Sequence, residues 1–149
     1  MKMIEMRPPR IALASTIMAA AIQWALKSDE GVRFAVPWFG VTLGLMGFFL
    51  MMWAWWLFKQ RKLAICPTVR TASMITHGPY RITRNPMYLG MILMMLGLAL
   101  YLGTLPFYLS AVAYFAILNF VFCPFEENKL SHAFGDEYAL YKDQVRRWL

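Results

Sequence analysis

Charge is absent from two long stretches of this chain and crowded into the segments between them. Phe34 to Phe58 contains 25 consecutive uncharged residues, and Asn85 to Phe125 contains 41. One bilayer crossing needs about 20 apolar residues, so the first run predicts one membrane helix and the second predicts two. Gly103-Thr104-Leu105-Pro106 interrupts the second run with a turn signal and splits it into a helical hairpin. An earlier apolar stretch, Ile11 to Leu26, has 16 residues and includes Gln23. At a rise of about 1.5 Å per residue it spans roughly 24 Å, enough for a crossing if Arg10 and Lys27 snorkel from its ends. Gln23-Trp24 and Leu26-Lys27 lack the small residues of a signal-cleavage site, so a retained first helix is expected.

Past the hairpin the pattern changes. From Glu126 onward the apolar positions are Leu130, Phe134, Tyr138, Tyr141, Val145 and Trp148, a helical stripe with most of the charge elsewhere. Gly135 weakens its middle and predicts two pieces hinged near Phe134-Gly135. By itself the stripe, with Tyr and Trp beside Arg146-Arg147, reads as an interfacial anchor in the headgroup zone. The segment 59–86 is the longest polar connection, about 28 residues, and in so short a chain a loop of that length is functional or docked.

Composition agrees with a bilayer. Of 149 residues 60% are hydrophobic, and the mean hydropathy is +0.47, more than one soluble core of this size needs. A single all-α membrane domain over 1–149 follows, with about four transmembrane helices, a cytoplasmic 59–86 loop and an amphipathic C-terminal helix. The net charge of +7 is largely a topology signal. Taking the connections alternately, thirteen Lys and Arg lie on one side and two on the other. The positive-inside tendency then puts both termini in the cytoplasm. Charges at membrane borders form no soluble basic face, which argues against nucleic acid as a partner. Membrane lipid and a lipophilic small molecule are the partners expected. The spacing Gly40-x-x-x-Gly44 packs helices within or between chains, so the oligomeric state stays open. Cys66 and Cys123 fall at predicted cytoplasmic borders, where thiols stay reduced. Two histidines without ligand spacing give no metal site.

Candidate chemistry concentrates in "HGPYRITRNPMYLG", residues 77–90. Asn85-Pro86 is a strong helix start, with Asn85 expected to cap and Pro86 in the first turn. Such a start offers unpaired backbone N–H groups and the positive end of the helix dipole. Arg81 and Arg84 stand within a turn of it, with guanidinium forks suited to a carboxylate or phosphate. Tyr80 and Tyr88 add aromatic faces for a ring or a cation. Gly78-Pro79 reads as a tight turn bringing backbone close to a ligand. Each part alone is equally well a topology or capping feature, and only their clustering favours a site. Glu126-Glu127 lies at the other end of the hairpin, where two adjacent carboxylates at a membrane border are costly unless used. A hairpin returns Glu126 to the side of Asn85, so cationic and anionic walls face one another. The pair suits a ligand carrying both a carboxylate and a cation.

"GPYRITRNPMYLG" followed by "EENKLSHAFGDEYALYKDQVRRW" resembles the isoprenylcysteine carboxyl methyltransferase family and its bacterial relatives, small integral-membrane enzymes that use S-adenosylmethionine. The resemblance covers about 70–148. It implies a cofactor-binding stretch on Ala72, Ser73, Met74 and Ile75, with Gly78 following, and a turn tyrosine at Tyr80. It also implies a helix-start element at Arg84-Asn85-Pro86-Met87-Tyr88 and an acidic cofactor contact at Glu126, with Glu127 beside it. Arg81 joins the cofactor side from the charge reading, and Arg84, Asn85 and Glu127 are the catalytic candidates. Asn85 stands where the eukaryotic enzymes have histidine, and asparagine cannot titrate near neutrality. Phe122 stands where they have an arginine assigned to substrate binding. An acceptor that is a lipophilic carboxylate, amine or thiol is consistent with this pattern; an amine would need a base, and Glu127 and His132 are nearest in sequence. A membrane NADPH-dependent reductase sharing the C-terminal motif, and a non-catalytic scaffold whose arginines set topology, are the alternatives.

Overall fold

A computed structural model describes residues 8–25, 34–63 and 74–149. Among them the chain is all helical: α1 (Pro8–Ala25), α2 (Pro37–Leu63), a 3₁₀ turn (Gly78–Arg81), α3 (Pro86–Leu102), α4 (Leu105–Ile117), a π segment (Leu118–Phe122), α5 (Cys123–Phe134) and α6 (Asp136–Gln144). Two helical stretches are long and apolar enough to cross a membrane, Pro37–Gln60 and Leu105–Phe134. The apolar α3 has 17 residues and is shorter than that. By length and composition, two of the four expected spans are therefore found among the described residues.

Three predicted boundaries shift. Helix α1 begins at Pro8 rather than Ile11, and α2 begins at Pro37 rather than Phe34. Residues 34–36 are extended because they pair with the end of α3: Phe34 N–H donates to Gly103 O at 3.0 Å and Val36 N–H to Leu100 O at 2.9 Å. Helix α2 also runs past Lys59 to Leu63, so the polar connection starts later than predicted. The Lys59 ammonium lies 5.0 Å from the centre of the Trp55 ring, a cation–π contact that suits a helix leaving apolar surroundings. Arg70, Cys66 and the expected ligand residues Ala72 and Ser73 lie outside the described residues.

The hairpin turn forms where predicted. Gly103 ends α3 in the left-handed region (φ 70°), and its N–H donates to Ala99 O. A side chain here would also collide with Ala35, 2.6 Å from the position its Cβ would take. Thr104 precedes α4, and its hydroxyl donates to Gln23 Oε1 at 2.9 Å, fastening α1 to the turn. At the far end of α1, the Tyr114 hydroxyl donates to Pro8 O at 3.2 Å.

Helices α2 and α3 pack with their backbones almost in contact. A Cβ on Gly40 would sit 2.6 Å from Gly97 O, and one on Gly47 would sit 2.6 Å from Gly90 O. The two antiparallel pairs share one register, seven residues apart on each helix. Helices in lipid gain little from hydrophobicity and associate through close packing, which small residues allow. Gly44 has open space at its own Cβ position, but its backbone lies 2.7 Å from where a Gly97 side chain would begin. The Gly40-x-x-x-Gly44 spacing is thus used within the chain.

The C-terminal stripe is not turned toward lipid. Tyr138, Tyr141 and Val145 are buried against Met74, Leu130 and Phe134. Trp148 packs on the cluster of Tyr88, Tyr114, Leu118 and Phe122, its ring 5.3 Å from that of Phe115. The anchor reading is corrected: the stripe buries its apolar face on the protein's own 74–81 segment. The hinge is where expected, with Gly135 at φ 52°, ψ −121°, a conformation open to glycine, ending α5 through its N–H to Ser131 O.

The glycine contacts give the first prediction. Gly97→Leu should destabilise the fold by about 1–3 kcal/mol through overpacking. Gly44→Ala should be neutral or stabilising, because it removes backbone freedom without a clash. Thermal unfolding in detergent micelles distinguishes the two.

Candidate active site

The polar residues of the site meet where α3 begins, α5 leaves the apolar layer and the chain ends. Asn85 occupies the position before α3, but its side chain makes no capping bond. Instead its Nδ2 donates to Arg147 O at 3.4 Å, so the expected cap is a tether to the C-terminal segment. Thr83, fully buried, donates its hydroxyl to the same carbonyl at 2.8 Å and accepts from Asn85 N–H at 3.2 Å. Arg84 N–H donates to Arg146 O at 3.0 Å. Three consecutive residues before α3 are thereby hydrogen-bonded to two consecutive carbonyls of the tail.

Side-chain charges repeat the connection. Arg147 grips Glu127 in a two-pronged pair, Nε to Oε1 and Nη2 to Oε2, each 2.8 Å. Arg84 adds a looser contact, Nη1 to Glu127 Oε1 at 3.4 Å, and its Nη1 also reaches the Tyr138 hydroxyl at 3.3 Å. Bidentate guanidinium–carboxylate pairs are among the strongest and most directional polar contacts. Hydrogen bonding to Glu127 accordingly raises the Arg147 pKa above its ordinary value.

The π segment explains why Arg147 also reaches Asn119. Cys123 N–H bonds to Leu118 O, five residues back. In that pattern Asn119 O would take the N–H of residue 124, but Pro124 has none. A carbonyl without a backbone partner in an apolar helix needs another donor. Arg147 Nη1 supplies it at 3.3 Å, and Trp148 Nε1 donates to Asn119 Oδ1 at 2.9 Å.

Glu126 has different company. Its Oε1 accepts a hydrogen bond from the Tyr88 hydroxyl, which joins the two sequence motifs across the hairpin. Tyr80 lies close by. Burial, the Tyr141 hydroxyl and the Glu126 carboxylate together push its phenol up to about 12. The Tyr141 hydroxyl donates to Tyr80 O at 2.6 Å, and burial pushes Tyr141 up to about 12 as well. Met74, Arg81 and Tyr141 line a cavity of about 520 Å³ between the 74–81 segment and α6.

The expected residues thus divide. Arg84, Asn85, Glu126, Glu127 and Tyr88 are brought together, with Tyr80 beside them. Arg81 is exposed on the cavity, apart from Arg84. Pro86 is buried in the first turn of α3, and Ile75 is half-buried in the segment leading to the 3₁₀ turn. Gly78, at φ 63°, makes its turn against α2: a Cβ there would meet Leu57 Cδ1 at 2.8 Å. Its small size serves packing on Leu57 and Trp53. His132 turns to Asn128 O of its own helix at 2.7 Å. Phe122 is buried among Tyr88, Leu118 and Cys123, so the place of an arginine in the eukaryotic enzymes is apolar here. Thr83, Asn119, Tyr138 and Arg147 were missed. Asn119, the one amide in an apolar run and five residues before a proline, was the available signal.

A profile of the phospholipid methyltransferase family matches residues 35–137. The chain belongs to this family. These are the integral-membrane methyltransferases akin to isoprenylcysteine carboxyl methyltransferases, which upholds the resemblance read from the two motifs. An uncharacterized protein of Haemophilus influenzae is 40% identical over 63 residues, 42% of this chain and all of that protein. No solved structure matches. In this methyltransferase family member, then, the Tyr88–Glu126 contact and the Glu127 ion pair sit side by side at one end of the hairpin.

Removing Arg147 leaves Glu127 with the looser Arg84 contact and strands the Asn119 carbonyl. Arg147→Gln should cost about 3 kcal/mol of stability, the low end for breaking a buried pair because Arg147 is partly exposed. Arg147→Lys should recover little, since an ammonium cannot grip both oxygens in a planar fork. In a double-mutant cycle, Glu127→Gln with Arg147→Gln should cost less than the sum of the single changes, read by unfolding in detergent.

Proposed function

We propose that the protein is an integral-membrane, S-adenosylmethionine-dependent methyltransferase acting on a lipophilic acceptor. The observation that carries this reading is the Tyr88–Glu126 hydrogen bond, which unites the helix-start motif and the acidic motif of the family across 38 residues of sequence. The residues present also fit a polar cofactor. Glu126, unlike Glu127, has no cation bonded to it among the described residues. Arg84 is nine-tenths buried, yet its Nε has no partner among them. Bound there, S-adenosylmethionine supplies a methyl group made electrophilic by a sulfonium. Glu126 is the acidic contact for it, while Tyr80, Tyr88 and the Met74-Ile75 backbone frame its adenine or sulfonium.

The chain's own part in methyl transfer is placement and exclusion of water. An acceptor that is already an ionised carboxylate or thiolate needs no protein base. Glu127 is suited to an anchoring role, since a carboxylate held by two guanidinium groups is a poor base. Asn85, which cannot titrate, positions the tail through Arg147 O. The apolar part of the acceptor enters from the bilayer between helices. Thirteen cationic side chains against two on alternate connections support four crossings, with both termini on the cytoplasmic side of a bacterial inner membrane. A polar cofactor then reaches the site from the cytoplasm.

Calorimetry on the detergent-solubilised protein tests this. The parent should bind S-adenosylmethionine, and Glu126→Ala and Asn85→Ala should each weaken binding about tenfold or more, the weight of one charge-assisted hydrogen bond. Parent-like affinity in both variants, or binding of NADPH and not S-adenosylmethionine, would overturn the reading. Incubation with radiolabelled S-adenosylmethionine and a bacterial lipid extract should yield a labelled lipophilic product.

A further inference from the structure

The cavity between the 74–81 segment and α6 is not explained by the contacts described so far. Its volume, about 520 Å³, lies within the range of small-molecule sites. Tyr141 and Val145 form its buried lining, Met74 is half-buried, and Arg81, Glu137 and Gln144 are exposed along it. Arg81 and Glu137 have opposite charges and face one cavity. Neither has an ion pair or side-chain hydrogen bond among the described residues, with each other or with anything else. The first turn of α6 carries Asp136 as well as Glu137, and both complement the helix dipole.

Two unpaired opposite charges across a cavity match a zwitterion, with an anion on the guanidinium and an ammonium on the carboxylate. The position of the cavity indicates which zwitterion. Its walls come from the 3₁₀ segment and α6, outside the apolar helices, so it faces the aqueous side. It shares Tyr141 with the Tyr80 contact, and Tyr80 in turn feels the Glu126 carboxylate. A ligand lying from the cavity past Tyr80 is therefore directed toward the Tyr88–Glu126 pair. We propose that the cavity holds the amino-acid end of S-adenosylmethionine, with its carboxylate on Arg81 and its ammonium on Glu137. Glu126 and Tyr88 are then left for the ribose and sulfonium portion. This assignment rests on the methyltransferase reading, and it adds α6 to the cofactor site. A zwitterionic phospholipid headgroup presents the same two charges from the membrane, and the test separates the two sources.

Three probes are titrated into the full-length protein in detergent: S-adenosylhomocysteine, 5′-methylthioadenosine, which lacks the amino-acid end, and a short-chain phosphatidylethanolamine. Arg81→Gln and Glu137→Gln change exposed side chains, and unchanged thermal unfolding confirms that both variants fold. Each should weaken S-adenosylhomocysteine binding about tenfold and leave 5′-methylthioadenosine within about twofold of the parent. Parent-like binding of S-adenosylhomocysteine by both variants overturns the assignment while leaving the methyltransferase reading intact. Equal loss of both nucleosides overturns it too, because the amino-acid end would then not be what these residues hold. Loss of the phospholipid alone transfers the cavity to the lipid headgroup. A parent that binds none of the nucleosides sinks the methyltransferase reading and this assignment with it.

Discussion

A carboxylate at the end of an apolar helix must find its cations within the protein, and Glu127 finds them in Arg147 and Arg84. Much of the site's architecture follows from that requirement. Arg147 lies 20 residues downstream, so pairing it with Glu127 folds α5, α6 and the tail back over the start of α3. Once there, the tail offers the Arg146 and Arg147 carbonyls to Arg84, Thr83 and Asn85, which need acceptors at a buried helix start. The same guanidinium satisfies the Asn119 carbonyl left without a partner by Pro124. A single side chain thus closes a helix interior, a membrane-border charge and a chain terminus. Leaving any of these unpaired in low-dielectric surroundings costs several kcal/mol.

The glycine contacts between α2 and α3 act at the other level, that of whole helices. Gly40 against Gly97 and Gly47 against Gly90 fix the depth at which α3 lies along α2. That register carries the start of α3 to the C-terminal end of α2, where Leu57 and Trp53 receive the Gly78 turn. Rigid placement of α3 and a tied-down tail are both needed for catalysis by positioning, which tolerates little displacement of reacting groups.

Adjacent glutamates carry different work because one helical step, about 100°, points them to different partners. Glu127 faces the guanidinium groups and is consumed in holding the fold. Glu126 hydrogen-bonds to Tyr88 and has no ion pair among the described residues, with Lys129 the cation that acts on it electrostatically. The buried, apolar Phe122 and the non-titrating Asn85 set this chain apart from the eukaryotic carboxyl methyltransferases at two positions tied to substrate chemistry.

The sequence alone determined the helical hairpin, its Gly103 turn, the Gly135 hinge and the return of Glu126 to the start of α3, because each follows from local pattern and connectivity. Uncharged runs, turn residues and hydrophobic spacing act over a few residues and can be read directly. The sequence also carried the family, through two motifs whose residues do meet. Only the tertiary structure decided what each polar group is paired with. Asn85 tethers the tail instead of capping, the C-terminal stripe covers Met74 instead of lipid, and Gly78 makes room for Leu57. Nothing in the local pattern distinguished Arg147 from the other basic residues at the border, since its partners Glu127 and Asn119 lie 20 and 28 residues away. Pairing over such distances depends on how the helices pack, and that is set by backbone contacts between glycines and by one proline's missing N–H.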